Sequence, residues 1–166
     1  YVSSLGEAGA PLQPRIDSEI ANHLGFIDRS LASGPWLLGD AKPSDRTYAT
    51  AVLAAMKAPQ THADVPVTWS LEVSNVLSRA EAKAIVAEAQ SEAFLAMLSS
   101  LPIRADAATF VHAMKETLQL SRRHRLSAYD ASYLELALRS GLPLATLDSD
   151  LAKAARKAGV KRFAPA

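Results

Sequence analysis

The sequence predicts an α/β fold in which a parallel sheet lies between helices on both faces. Three observations carry this expectation. Short apolar runs of about 4 to 6 residues alternate with amphipathic stretches of about 10 to 15. Asp28 and Asp148 each follow such a run, as residues at the carboxyl edge of a parallel sheet do. At 166 residues, 49% hydrophobic and 21% charged, the chain suits one domain with a sizeable core.

The elements follow in chain order. "YVSSLGEAGAPLQPR" has small residues, Gly and Pro without a period, and reads as a flexible arm. Ile16, Ile20, Leu24, Ile27 and Leu31 then recur at helical spacing, yet "HLGFID" reads equally as a short buried strand ending in an aspartate. Gly34-Pro35 interrupts whatever precedes it, because proline removes a donor and disfavours helix at the residue before it. "PSDRTYATAVLAAMKA" predicts a helix with Ser44 as N-cap. A strand is expected around Val65 to Val67, turning through Thr68 into a helix that carries Glu72, Val73, Val76 and Leu77. "SEAFLAMLSSLPI" predicts a helix ending in a turn at Pro102, and "FVHAMKETLQLSRRHRL" a further one. "LSAYDASYLELALRS" supplies another, with Asp130 on the apolar stripe of Tyr133, Leu134, Ala137 and Leu138, and with Ser132, Glu135 and Arg139 elsewhere. A Gly141-Leu142-Pro143 turn, the strand "LATL", a helix from Ser149 to about Ala158 stopped by Gly159, and an edge strand "VKRF" complete the chain.

Composition excludes several classes. No cysteine is present, which rules out disulfides and thiolate metal sites and is compatible with a reducing cytoplasm. No apolar run approaches the roughly 18 residues of a membrane span, and no signal-peptide pattern is visible. The net charge of +1 does not mark a nucleic-acid binder. Local clusters say more: Arg122, Arg123, His124 and Arg125 form one basic knot, and Lys153, Arg156, Lys157, Lys161 and Arg162 a second, each also readable as a solvated helix end with cations beside the C-terminal dipole.

Each acid has a structural reading beside a functional one. Ser127-x-x-Asp130 has the form of a capping box, Asp148 can cap the last helix, and Glu72 in a first turn is favoured by the helix dipole. Asp28 is a plain surface acid if its segment is helical. All four acids are nonetheless expected along one sheet edge, where carboxylates without a cation would repel one another. Magnesium or manganese resolves that conflict, since both prefer oxygen ligands and bind phosphate alongside a few carboxylates. The chemistry expected is metal-assisted hydrolysis of a phosphodiester by activated water. Ser30 and Asn75 are candidate supports for Asp28 and Glu72, and Arg122, Arg123 and Arg125 candidate phosphate contacts. The histidines and Trp36 and Trp69 are expected in structural roles.

"VPVTWSLEVSNVLSRAE", "LSAYDASYLELALRSGLPLATLDSDLAKAARKAGV" and, in part, "FIDRSLASGPWLLGD" resemble the PIN-domain ribonucleases, in particular the VapC-type toxins of toxin–antitoxin pairs. The resemblance covers about residues 25 to 163. It implies a three-layer fold with four or five parallel strands, a homodimer, cytoplasmic location, and a Mg2+- or Mn2+-dependent endoribonuclease held in check by an antitoxin whose tail enters the acidic groove. Carried over by position, the metal-binding and catalytic acids are Asp28, Glu72, Asp130 and Asp148, with Ser30 as the hydroxyl residue after the first. Residues 1–24 form an extension without counterpart, and 25–166 the nuclease domain. The first motif departs from the pattern: Pro35 follows Gly34 where similar chains continue a helix, and Ala41 follows Asp40 where a second acid is common. "LGFIDRSLASGPWLLGDAKPSD" is also similar to the C-terminal helical domain of glutathione transferases, a likeness that bears on Asp28. A catalytically inactive RNA- or protein-binding module of the same fold, and an acid-cluster phosphatase, are the alternatives.

Overall fold

The computed structural model describes residues 43–164. Asp28, Ser30 and Trp36, and the choice between helix and strand before Leu31, lie outside the described residues. Helix α1 spans Pro43–Met56. It starts one residue ahead of the expected Ser44 cap, because a first helical position has no intrahelical acceptor for its N–H and so accepts proline. Val52, Leu53 and Met56 bury one face of α1 against Val73 and Leu77 of α2 (Trp69–Ala82) and Phe94 and Leu98 of α3 (Glu88–Ser99). Tyr48 ties α1 to the far end of the chain: its hydroxyl donates to the Phe163 carbonyl at 2.9 Å, and the Arg162 guanidinium lies 4.2 Å from its ring centre.

Strand β1 is Ala63–Pro66, paired in parallel with β2, Ile103–Asp106, in the register Ala63 to Ile103 through Pro66 to Asp106. The expected strand around Val65 to Val67 therefore begins and ends earlier. Val67 is exposed, and its amide turns to the Thr109 hydroxyl at 3.3 Å instead of to a ladder partner. Strand β2 was not expected at all. Its four residues alternate too briefly to register, and Arg104 is exposed, pairing sideways with Asp64 at 3.0 Å.

The single helix expected from Phe110 onward is broken in three. Helix α4 (Thr109–His112) passes into a π turn (Ala113–Thr117) and then α5 (Leu118–His124), which ends at Arg125 with φ +55°. A π turn holds an extra residue, so the faces before and after it are offset. Helix α6 is Ala128–Ser140 and closes on Gly141, whose φ of +65° suits a residue without Cβ. Its burial corrects the amphipathic expectation: every residue from Ala131 to Ala137 is buried, Ser132 and Glu135 among them. Helix α7, Ser149–Lys157, packs Leu151, Ala154 and Ala155 with Leu126, Leu134, Leu144 and Val160 in a second apolar cluster. Trp69 touches both clusters, the core role expected of it.

The expected strands "LATL" and "VKRF" meet in one parallel bridge, in which Leu144 donates to the Lys161 carbonyl and accepts from the Phe163 amide, each at 2.9 Å. The described residues thus hold a two-stranded parallel sheet and this bridge. Between them lies a cavity of about 230 Å³, bordered by His62, Ala63 and Asp64 on one side, Leu144 and Ala145 on the other, and Tyr133, Leu136 and Ala137 of α6. Among the described residues no helix is long and apolar enough to cross a membrane.

Candidate active site

The candidate acids stand at helix starts, the first of them just after a strand. After β1, the Thr68 carbonyl receives the Leu71 and Glu72 amides and starts α2, which places Glu72 in the first turn. There the partial positive charge of the helix end favours a carboxylate. After α5, Ser127 caps α6: its hydroxyl accepts the Asp130 amide at 2.9 Å and donates its own proton to the Asp130 carboxylate. The serine half of the expected capping box is present, while the acid is held by the serine hydroxyl.

One helical turn beyond Asp130, the Tyr133 hydroxyl donates to Glu72 Oε2 at 2.7 Å across 61 residues of sequence. Tyr133 is 4% exposed. Burial pushes its phenol far above the ordinary tyrosine range, and the Glu72 charge, the hydrogen bond to it and then the Asp130 charge push the same way. The phenol is therefore a permanent donor, and both acids act on it. Asp148 stands at the head of α7, accepting the Leu151 amide as N-cap, while its own amide donates to the Thr146 hydroxyl at 3.1 Å. The capping reading of Asp148 holds in the structure.

Asn75 is exposed on α2, one turn beyond Glu72. Arg122 and Arg123 are exposed in the last turn of α5, where they also complement the helix dipole, and Arg125 is exposed just beyond. Of the four expected acids, the structure relates Glu72 and Asp130 through Tyr133, sets Asp148 as a cap, and leaves Asp28 outside the described residues. Among the described residues no group of three or more His, Asp or Glu side chains is placed to hold a metal ion. Two carboxylates with otherwise aqueous ligands are a donor set that suits magnesium, which keeps several waters and takes one or two protein carboxylates. Glu72 and Asp130 fit it by chemistry.

A second polar set went unread in the sequence. Arg139 donates to Glu135 at 2.8 and 3.3 Å and to Asp106 at 2.7 Å. His112 lies 3.6 Å from Glu135 and 3.0 Å from Glu116. Burial opposes ionisation of Asp106, but bonds from Arg139, Thr109 and the Ala108 amide outweigh it and hold the carboxyl below its usual range. The i,i+4 spacing of Glu135 and Arg139 was the available signal. Asp106 needed the tertiary structure.

A short parallel sheet packed with helices, with carboxylates at the starts of α2, α6 and α7, is an α/β arrangement that offers oxygen donors at helix starts. Residues 38–157 match the PIN domain family. The match spans well over half of the chain, and the chain belongs to that family. Glu72, Asp130 and Asp148 lie inside the matched stretch, whereas Asp28 and Ser30 precede it. Comparison with curated proteins and with solved structures gives no match.

Proposed function

We propose that the chain is a Mg2+- or Mn2+-dependent endoribonuclease acting as the toxin of a toxin–antitoxin pair. The observation that carries this reading is the Tyr133–Glu72 bond, which links the acid at the start of α2 to the helix that bears Asp130. A bound divalent cation would supply water activation and charge neutralisation at the phosphate. Glu72 and Asp130 are the carboxylates that would receive it, with Asp148 and Asp28 as the further acids of the proposed set. Exposed Arg122, Arg123 and Arg125 would contact RNA phosphates and give salt-sensitive affinity with no sequence preference of their own.

Of the four or five parallel strands expected, the described residues hold two and one parallel bridge. An antitoxin and a second copy are the partners proposed, and Phe110, Val111 and Met114, at 79%, 64% and 83% exposure, are apolar surface available for docking.

The second reading is a binding module that keeps the fold without cutting RNA. It is favoured by the position of Asp28, ahead of the stretch that matches the family. A labelled RNA panel with and without magnesium separates the two, provided the Asp130→Asn variant is run beside the parent. The nuclease reading expects internal cuts that need metal and vanish in the variant, whose amide keeps the shape of the side chain. Uncut RNA in every lane favours the module. Equal, metal-independent cutting by both proteins removes the acid site.

A further inference from the structure

We propose that Tyr133 is a positioning residue, whose phenol sets the plane of the Glu72 carboxylate and thereby the affinity of the site for a divalent cation. This rests on the reading of Glu72 and Asp130 as the receiving carboxylates and adds a residue to it. Both ends of the contact are anchored. The Tyr133 ring belongs to the second apolar cluster, among Leu134, Leu151 and Leu126. A buried ring on two torsions has little freedom, so its hydroxyl is delivered to one point in space. At the other end, the start of α2 is anchored by Trp69, which packs against both apolar clusters.

Glutamate has three side-chain torsions, and a carboxylate at a helix start can rotate among several orientations. A charge-assisted bond of 2.7 Å selects one of them. It occupies one face of one oxygen, so the group is held without being neutralised. Asp130 lies one turn before Tyr133 on the same helix, so the element that carries the second acid also orients the first. Hydrogen-bond partners of this kind commonly govern metal affinity by about 10- to 100-fold. A purely structural tie between α2 and α6 predicts something else: its removal lowers stability and leaves metal binding alone.

The test is direct binding of Mn2+ to the full chain, by calorimetry, for the parent, Tyr133→Phe and Leu136→Ala. Tyr133→Phe keeps the ring in its packing and deletes only the donor. It is expected to bind Mn2+ about ten-fold more weakly, with lost RNA cleavage recovered by raising the Mn2+ concentration. Leu136→Ala removes core contacts on the same helix and should melt earlier while binding Mn2+ like the parent. Independently of any variant, Mg2+ added to the unmutated chain should perturb the absorbance of a buried tyrosine with the midpoint of the binding curve. Unchanged or tighter Mn2+ binding by Tyr133→Phe, or a flat tyrosine spectrum in a parent that binds metal, overturns the positioning role. A parent that binds no Mn2+ overturns the acid site itself and the role with it.

Discussion

Replacing Arg139 with methionine tests whether the second polar set holds α6 in place. The guanidinium gives Glu135 two bonds, at 2.8 and 3.3 Å, and Asp106 one at 2.7 Å. The Glu135 side chain is 6% exposed and that of Asp106 13%, so both are largely shielded from water, while Arg139 itself is 29% exposed. Removing one partner of a fully buried pair costs about 3 to 5 kcal/mol, because the other charge is stranded. Partial exposure of Arg139 screens the interaction, and His112 stays 3.6 Å from Glu135, so the low end applies, about 3 kcal/mol. For a chain of this size that corresponds to a fall in melting temperature of roughly 6 to 12 °C. Urea denaturation should show a lower midpoint at unchanged slope. The double variant Glu135→Leu/Arg139→Met should recover much of the loss, since a well-packed apolar residue replaces a stranded carboxylate. A loss below about 1 kcal/mol in Arg139→Met would mean that these are surface ion pairs of little weight, and the reasoning fails.

Two further outcomes follow from the geometry. Asp148→Ala should lose about 1 kcal/mol with the α7 cap, whereas Asp148→Asn should melt close to the parent in chelator; an asparagine variant as unstable as the alanine one shows that capping is not what the side chain supplies. The folded pKa of Asp106 lies below its unfolded value, so its contribution is present above the ordinary 3.8 and is lost as pH falls through the folded value. Asp106→Asn is therefore destabilised at neutral pH, and the gap to the parent should close in urea titrations below about pH 4; a gap constant down to strong acid contradicts the assignment.

The helix starts were the legible part of the sequence, because they depend on residues a few positions apart. Ser127 and Asp148 announce α6 and α7 by capping chemistry, and Val73, Val76 and Leu77 announce the buried face of α2. What stayed hidden depends on contacts distant in sequence. Strand β2 exists because Ile103–Asp106 aligns with Ala63–Pro66, and four residues with an exposed arginine carry almost no period of their own. Glu135 looked like a solvent residue because an amphipathic helix has a wet face, but α6 is covered on every side along its middle by β1, α4, α5, the π turn and α7. Tyr133 was placed correctly on the buried stripe; only the fold could show that its hydroxyl meets an acid 61 residues away.

That full burial also explains why the middle of the fold carries so many polar groups. A helix apolar all round can rotate about its axis or shift along it with small changes in burial, since the neighbouring surface is apolar in every direction. Hydrogen bonds remove that freedom because they act only at set distances and angles. Near its start, α6 is fixed by Ser127 and by the Tyr133 bond to α2; near its end, by the bonds of Glu135 and Arg139 to each other and to Asp106 at the end of β2. Two points of attachment on different sides determine both rotation and height. Of the residues that border the cavity, Tyr133 is one of those points and Leu136 and Ala137 lie within the other, so the opening beside β1 has a wall of defined position. The cost is that ion pairs of this kind add less stability than an apolar replacement of the same volume would. What they contribute is a single placement of α6, and with it one fixed relation between Asp130, Tyr133 and Glu72.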